Sequence, residues 1–215
     1  MKLADVYQHS MVIASDFRIP DPAHVRSLLA RRKDALAAIG AHHVLVYRSL
    51  RENDRVLVMI GVRSREPVVD LVRSHAFFDW FDAVGVQDFP AVFAGEIVDR
   101  YELRASDDGL PAGPLIAATV PVRDVSWLIG DMHSARARFE GAGVQKVWIF
   151  QAFDDAQEVL ILQEVDSEAT AWRWIERHDP AAAWMDDAGL GIYPPLFVGE
   201  YVELMRVDQI GSTGV

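Results

Sequence analysis

The chain of 215 residues contains no cysteine. Disulfide bonds, thiolate zinc sites and a cysteine nucleophile are therefore excluded. Basic residues are also scarce, since 21 lysines and arginines face 32 aspartates and glutamates, which gives a formal net charge of −11. A surface this acidic repels the phosphates of nucleic acids and of anionic membranes, so we expect neither as a partner.

Long hydrophobic runs and several common catalytic motifs are missing as well. No apolar stretch approaches the roughly 20 residues of a membrane span, and the first ten residues lack the apolar core of a signal peptide. We therefore expect a soluble, cytoplasmic protein. Because HExxH, phosphate-loop, GxSxG and Rossmann glycine motifs do not occur, zinc-protease, nucleotide-dependent and serine-hydrolase chemistry has no support.

What the chain does contain is a repeat. Residues 64–103 and 167–207 both run from Ser through an apolar helical pattern to His, and then through Trp, Gly and Pro to a Phe-x-Gly-Glu that opens a strand. The paired positions are Ser64 and Ser167, His75 and His178, Trp80 and Trp184, Gly85 and Gly189, Pro90 and Pro194, and Glu96 and Glu200. Such self-similarity indicates an internal duplication.

The duplication extends upstream of this stretch. Ile13, Asp21 and Gly40 recur 103 residues later as Ile116, Asp124 and Gly143. Each half therefore covers about a hundred residues. We expect a first repeat over 1–104, a linker rich in Gly, Pro and Asp over 105–114, and a second repeat over 115–215.

Each repeat predicts the element order β-α-β-β-α-β. The predicted strands are 11–19, 44–50, 56–62 and 92–103 in the first repeat, and 115–122, 147–153, 159–165 and 196–207 in the second. Asp21 is the expected cap of the first helix, followed by Pro22, and Gly40 is its expected end. The middle strands form a hairpin, which makes each repeat a ferredoxin-like unit.

The last strand of each repeat shows how the units meet. Both of its faces are mostly apolar, so neither can face water. Helices cover one face, and the other must pack against the sheet of the sister repeat. The predicted fold class is α+β, with two tandem ferredoxin-like repeats packed sheet to sheet.

On this element order and duplication, the chain resembles the dimeric α/β-barrel superfamily, as a tandem-repeat member in which one chain forms an intramolecular pseudo-dimeric barrel. The resemblance implies a small hydrophobic ligand, held in many members in the cleft between a sheet and its helices. The superfamily includes cofactor-independent monooxygenases acting on aromatics, haem-binding enzymes and proteins without known activity. A homodimer of the fused barrel is a further expectation.

Eight residues are candidates for the site. The proposed mechanism is deprotonation of a phenol-like substrate by His75 or Glu96, with Tyr47 and Arg48 orienting the substrate, after which the carbanion meets oxygen directly. The candidate ligand-binding residues are Trp80, His178, Glu200 and Trp184. The glycines before Glu96 and Glu200 indicate a bulge or a close approach of another group.

Structural roles are the alternative for each candidate. The histidines could cap backbone groups freed by a helix break, and the aromatics could be core. Glu96 and Glu200 each place a charge on an otherwise apolar strand face, where we expect burial, and a buried carboxylate must be paired, hydrogen-bonded or neutral. They could form structural ion pairs, with Arg48 or across the barrel seam. His42 and His43 are adjacent in a strand, so their side chains are expected on opposite faces, where they cannot share a metal.

Three functions remain open on the sequence. The first is a protein that binds a small hydrophobic or aromatic metabolite and acts as a monooxygenase-like enzyme without cofactor or protein-held metal. The second is a haem-binding protein that uses His178 or His75 as the axial ligand. The third is a non-enzymatic binding or assembly module.

Overall fold

The computed structural model describes residues 11–72, 79, 81–82, 85–86, 90–104, 113–176 and 196–207. Two kinds of predicted segment lie largely outside these residues. They are the His-containing part of each predicted second helix and the predicted linker. Within them, no helix combines the length and the apolarity needed to cross a membrane.

The described chain contains eight strands and six α-helices, in the predicted order. The strands are β1 (Met11–Arg18), β2 (Ala41–Ser49), β3 (Arg55–Val62), β4 (Ala91–Glu102), β5 (Leu115–Pro121), β6 (Val144–Ala152), β7 (Glu158–Val165) and β8 (Phe197–Arg206). The helices are α1 (Val25–Arg31), α2 (Lys33–Ala38), α3 (Glu66–Val72), α4 (Val125–Ser134), α5 (Arg136–Gly141) and α6 (Glu168–Ile175). The prediction of an α+β fold is confirmed.

The helix signals read from the sequence are present. Asp21 caps a short 3-10 turn over Pro22–His24 by accepting a hydrogen bond from the Ala23 amide, and Asp124 caps α4 through the Trp127 amide. Gly40 and Gly143 follow the helices with φ of 75° and 88°, a conformation that glycine adopts without steric cost. The long helix expected after each cap is instead divided in two, as α1 and α2 and as α4 and α5.

All eight strands join into one closed antiparallel barrel. Around the barrel the order is β1-β3-β2-β8-β5-β7-β6-β4. The first half supplies β4-β1-β3-β2 and the second supplies β8-β5-β7-β6, so the two halves contribute strands in the same order. Two seams, β2 with β8 and β4 with β6, connect the halves and leave no free edge strand in the barrel.

The two seams are closed by equivalent hydrogen bonds. At the β2–β8 seam the Leu50 amide donates to the Val198 carbonyl at 2.9 Å, and at the β4–β6 seam the Phe153 amide donates to the Ala94 carbonyl at the same distance. The other end of each seam shows a second matched pair, from Val207 to His42 at 3.0 Å and from Leu103 to Gln145 at 2.7 Å. Each donor and each acceptor lies 103 or 104 residues from its counterpart.

Glycines allow the backbones to approach at both seams. A Cβ at Gly199 would lie 2.5 Å from the carbonyl oxygen of Arg48 across one seam, and a Cβ at Gly95 would overlap the Gln151 carbonyl across the other. The predicted close approach is therefore confirmed. The approaching groups are backbone carbonyls of the other half and the rings of Phe93 and Phe197, two residues before each glycine.

Three apolar clusters fill the protein. One lies inside the barrel and mixes residues of both halves, and the other two lie between the barrel's outer face and the helices of each half. The inner faces of the two four-stranded sheets therefore share one core, as expected from strands that are apolar on both faces.

A methyl group at Gly199 tests the seam. We expect Gly199→Ala to lower the free energy of unfolding by about 1–3 kcal/mol or more, because the Arg48 carbonyl belongs to a paired strand and cannot move aside cheaply. Urea denaturation followed by circular dichroism measures this difference.

Gly130→Ala is the matched control. Gly130 is exposed in α4 and a Cβ there would meet nothing within 4 Å. This change should stabilise the protein by roughly 0.5–1 kcal/mol, since alanine is the better helix former. Equal effects of the two substitutions would contradict the close approach at the seam.

Candidate functional site

A cavity of about 210 Å³ lies inside the barrel, at the end where β1 and β5 finish. It opens beside Ala91 and Val92, which are both exposed at the start of β4. The wall is mainly apolar and carries three polar side chains. The lining residues are Ala14, Asp16, Leu57, Ala91, Val92, Phe93, Ala117, Thr119, Glu158, Leu160 and Phe197.

Most of the apolar wall consists of matched residues from the two halves. Counterparts 103 or 104 positions apart have the same identity here. These pairs are Ala14 and Ala117, Leu57 and Leu160, and Phe93 and Phe197. The two phenylalanine rings give the cavity aromatic surface from both sides, which suits a flat ligand.

The polar residues of the two halves differ. In the first half Arg55 on β3 donates to both carboxylate oxygens of Asp16, through Nε at 2.8 Å and through Nη2 at 2.6 Å. It also donates to Glu52 at 3.2 Å, and its guanidinium lies 5.5 Å from the ring centre of Phe197. Burial alone would lower the pKa of Arg55, but the carboxylates of Asp16 and Glu52 outweigh it and raise that pKa, so Arg55 is a permanent cation beside the cavity.

In the second half the corresponding positions hold Thr119 in place of Asp16 and Glu158 in place of Arg55. Within the described part of the chain, the Glu158 side chain has neither a hydrogen bond nor an ion pair, and the charges that act on it are those of Asp154 and Asp155. Burial and, after it, these two negative charges raise the pKa of Glu158. A raised pKa makes the Glu158 carboxylate a stronger base than an ordinary glutamate.

The structure separates the residues that the sequence grouped around one substrate. Tyr47 points into the barrel, is completely buried and packs edge-on against Tyr201, with ring centres 6.1 Å apart. Arg48, its neighbour on β2, lies on the outer face and pairs with Glu200 across the seam. Adjacent residues of a strand face opposite sides, so Tyr47 and Arg48 cannot orient the same molecule.

The expectation that Glu96 and Glu200 are buried is wrong for Glu96 and only partly right for Glu200. Glu96 is exposed on the outer face of the β4–β6 seam, opposite Gln151. Glu200 is half-buried in its ion pair with Arg48, in which the two side chains keep 45% and 55% of their exposure. The outer faces of the seams lie between the two helix-covered clusters, which leaves these charges near water. The structural alternative, an ion pair at the seam with Arg48, is the arrangement observed for Glu200.

Four further candidates cannot be placed. His75, Trp80, His178 and Trp184 lie outside the described residues, so their roles stay predictions. The same holds for a ligand in the sheet–helix cleft, because much of each predicted second helix lies outside the described residues.

One polar feature of the second sheet–helix layer is visible. The Tyr101 hydroxyl and the Gln163 side-chain oxygen are buried there and have no hydrogen-bond partner among the described groups. Burial, with a smaller contribution from Asp99, raises the pKa of Tyr101 well above its ordinary value. Tyr101 is therefore neutral at physiological pH.

His42 and His43 correct another expectation. A β-bulge between Ala41 and His43 brings both imidazoles to the same side, where their Nδ1 atoms lie 2.5 Å apart over Gly61. Both rings are buried, at the barrel end opposite the cavity. The sequence missed this because it assumed a regular strand, in which adjacent side chains diverge. Among the described residues, no three His, Asp or Glu side chains lie close enough together to hold a metal ion.

Comparisons with known proteins support the architecture. No protein-family model matches the sequence, and no curated protein matches it either. An anthrone oxidase-like protein superposes with a TM-score of 0.64 at 12% identity, over 99% of each chain. The chain has the fold of the dimeric α/β-barrel superfamily.

Two further structures with this fold come from Listeria. A ferredoxin-fold protein from Listeria monocytogenes, described as related to antibiotic biosynthesis monooxygenases, gives a TM-score of 0.52 at 13% identity over 93% of this chain and 99% of its own. A monooxygenase-like protein from Listeria innocua gives 0.52 at 14% identity, over 92% and 98%. In each case the superposition covers nearly all of both chains, so the similarity in fold is not confined to one half of this chain.

Haem, the alternative cofactor, does not fit the barrel-end cavity. Drug-sized ligands take pockets of roughly 300–1,000 Å³, and the cavity measures about 210 Å³. No histidine is among its described lining residues. The prediction of haem bound through His75 or His178 stays a prediction, because both histidines lie outside the described residues.

The raised pKa of Glu158 predicts a pH-dependent stability. Between the ordinary glutamate pKa, about 4.3, and the raised value, the folded state holds a proton that the unfolded state has released. The free energy of unfolding therefore falls as pH rises through this window and stays reduced above it. Glu158→Gln cannot ionise and should melt at a higher temperature than the wild type near pH 8.

Below the window the two proteins should melt alike, because Glu158 is then protonated in both states. Melting curves recorded at about pH 3 and about pH 8 test this, and the two curves at about pH 3 are the internal control. If Glu158→Gln is less stable than the wild type at about pH 8, the fold stabilises the Glu158 carboxylate, which contradicts the prediction.

Proposed function

We propose that the chain binds a small aromatic molecule in the barrel-end cavity and oxidises it with molecular oxygen, as a monooxygenase-like enzyme without a cofactor. The observation that carries this proposal is the cavity itself. Its wall presents two aromatic rings and four matched aliphatic residues, and it contains a carboxyl group with no cationic partner in the described chain.

The size of the cavity limits the ligand. In another protein, an apolar cavity of about 150 Å³ holds one benzene molecule. The 210 Å³ measured here therefore suit one ring with a few small substituents. Three fused rings do not fit, so the substrate class differs from an anthrone even though one structure with this fold is called anthrone oxidase-like.

The reaction needs a substrate that supplies its own electrons. An arene with several hydroxyl groups has a keto form with a CH₂ group, and loss of a proton from that carbon gives a stabilised carbanion. Addition of oxygen and loss of water then convert CH₂ and O₂ to C=O and H₂O, which balances without an external reductant. Structures named as monooxygenase-like or related to monooxygenases support this reaction class.

We also infer that the two halves are tandem copies that form a pseudo-dimer. Their strand orders match, and their helix caps, positive-φ glycines and seam hydrogen bonds recur at a constant offset. This origin accounts for a cavity on the approximate twofold axis, where both halves contribute the same apolar residues. It also leaves the polar residues free to diverge.

Ala117→Leu tests the location of the ligand. The added side chain enters the cavity and should abolish binding of phenol, measured by ligand-observed NMR, while the wild type binds it. Ala30→Leu adds the same side chain at an exposed position of α1 and should leave binding unchanged. Equal binding by the two variants would place the ligand elsewhere.

Oxygen uptake tests the reaction. With 1,3,5-trihydroxybenzene as substrate and a chelator present to remove metal ions, the wild-type protein should consume one O₂ per substrate molecule oxidised. Ala117→Leu should reduce the rate of oxygen uptake to background. Binding without any oxygen uptake would reduce the proposal to a binding protein.

A further inference from the structure

We propose that Glu158 is the proton acceptor for the molecule bound in the barrel-end cavity. This inference rests on the proposed function, because it assigns a residue to the same site. None of the four sequence candidates within the described residues takes this place: Tyr47 is buried but does not line the cavity, and Arg48, Glu96 and Glu200 lie on the outer face.

The two halves differ in their polar residues at this end of the barrel. Two pairs of equivalent positions lie there, 16 with 119 and 55 with 158. In the first half, Asp16 and Arg55 neutralise each other through two hydrogen bonds of 2.8 and 2.6 Å. In the second half, the arginine is replaced by Glu158 and the aspartate by Thr119, so this half still carries one carboxylate but has lost the cation that neutralises it.

The two carboxyl groups of the cavity differ in their hydrogen bonds. Asp16 lines the cavity, but both of its oxygens already accept hydrogen bonds from Arg55. Glu158 has no such partner in the described chain, and the charged groups around it are Asp154 and Asp155 on the preceding turn, with the Asp16–Arg55 pair across the cavity. Negative neighbours and burial make a carboxylate more basic.

The chemical step is a proton transfer to a carboxylate oxygen. Glu158 takes a proton from the CH₂ carbon of the keto form, and the electron pair of the broken C–H bond stays on the ring. After oxygen has added to that carbon, the Glu158 proton passes to the outer oxygen to give a hydroperoxide. Loss of the second C–H proton to Glu158 and cleavage of the O–O bond give C=O and hydroxide, which takes up that proton and leaves as water.

Anaerobic deuterium exchange tests this step apart from oxidation. In D₂O without oxygen, the wild type should accelerate exchange of the ring hydrogens of 1,3,5-trihydroxybenzene, followed by proton NMR. Glu158→Gln should lower that acceleration by about 10²–10⁴-fold. It should still bind phenol with an affinity within about threefold of the wild type, and Glu158→Asp should recover part of the exchange rate.

Glu140→Gln is the matched control. Glu140 is exposed on α5, and the substitution removes one carboxylate charge there, as Glu158→Gln does at the cavity. It should exchange at the wild-type rate. If Glu158→Gln binds phenol and exchanges as fast as the wild type, or if the wild type binds but does not accelerate exchange, Glu158 is not the acceptor while the ligand site stands. If the wild type does not bind phenol, the proposed function and this inference both fail.

Discussion

The structure depends on the closure of the barrel at its two seams. Neither four-stranded half can expose its inner face to water, because that face is apolar along its length. Closure requires β8 to approach β2 and β4 to approach β6 at backbone distance, and a glycine in each seam removes the Cβ that would collide with the opposite carbonyl. The matched hydrogen bonds at both ends of each seam then hold the register.

Closure also creates the site. Each half brings an alanine, a leucine and a phenylalanine to one barrel end, and these small and large side chains leave a cavity between them. Both halves contribute the same apolar residues, because the shared core needs them on both sides. The core does not need the same polar residues twice, so the first half carries an Asp16–Arg55 pair and the second carries Glu158, which has no ion pair within the described residues. Such a partly buried carboxylate lowers stability, a loss that is typical of functional positions.

Much of the fold followed from the sequence and much of the site did not. The eight strands were predictable because apolar runs bounded by turn residues recur at a constant spacing, and Asp21 and Gly40 mark their helix by local rules. The site was misjudged because a charge on an apolar strand was taken as buried, whereas the seam leaves Glu96 exposed. The signal for Glu158 was present in the repeat, since the offset that pairs Leu57 with Leu160 also pairs Arg55 with Glu158. The role of Glu158 could not be recognised without the barrel, because the barrel brings the first residues of β3 and β7 to one cavity. The bulge at His42 could not be predicted either, because it depends on tertiary contacts.

The central claim is that the two halves form one cooperative body through their seams. Native-state hydrogen exchange of the four seam amides, Leu50, Leu103, Phe153 and Val207, tests it most directly. The account predicts that these amides exchange only through global unfolding, with the same free energy as amides in the middle of β3 and β7. Seam amides that exchange at a markedly lower free energy, while each half stays protected, would show two separately stable units and contradict it.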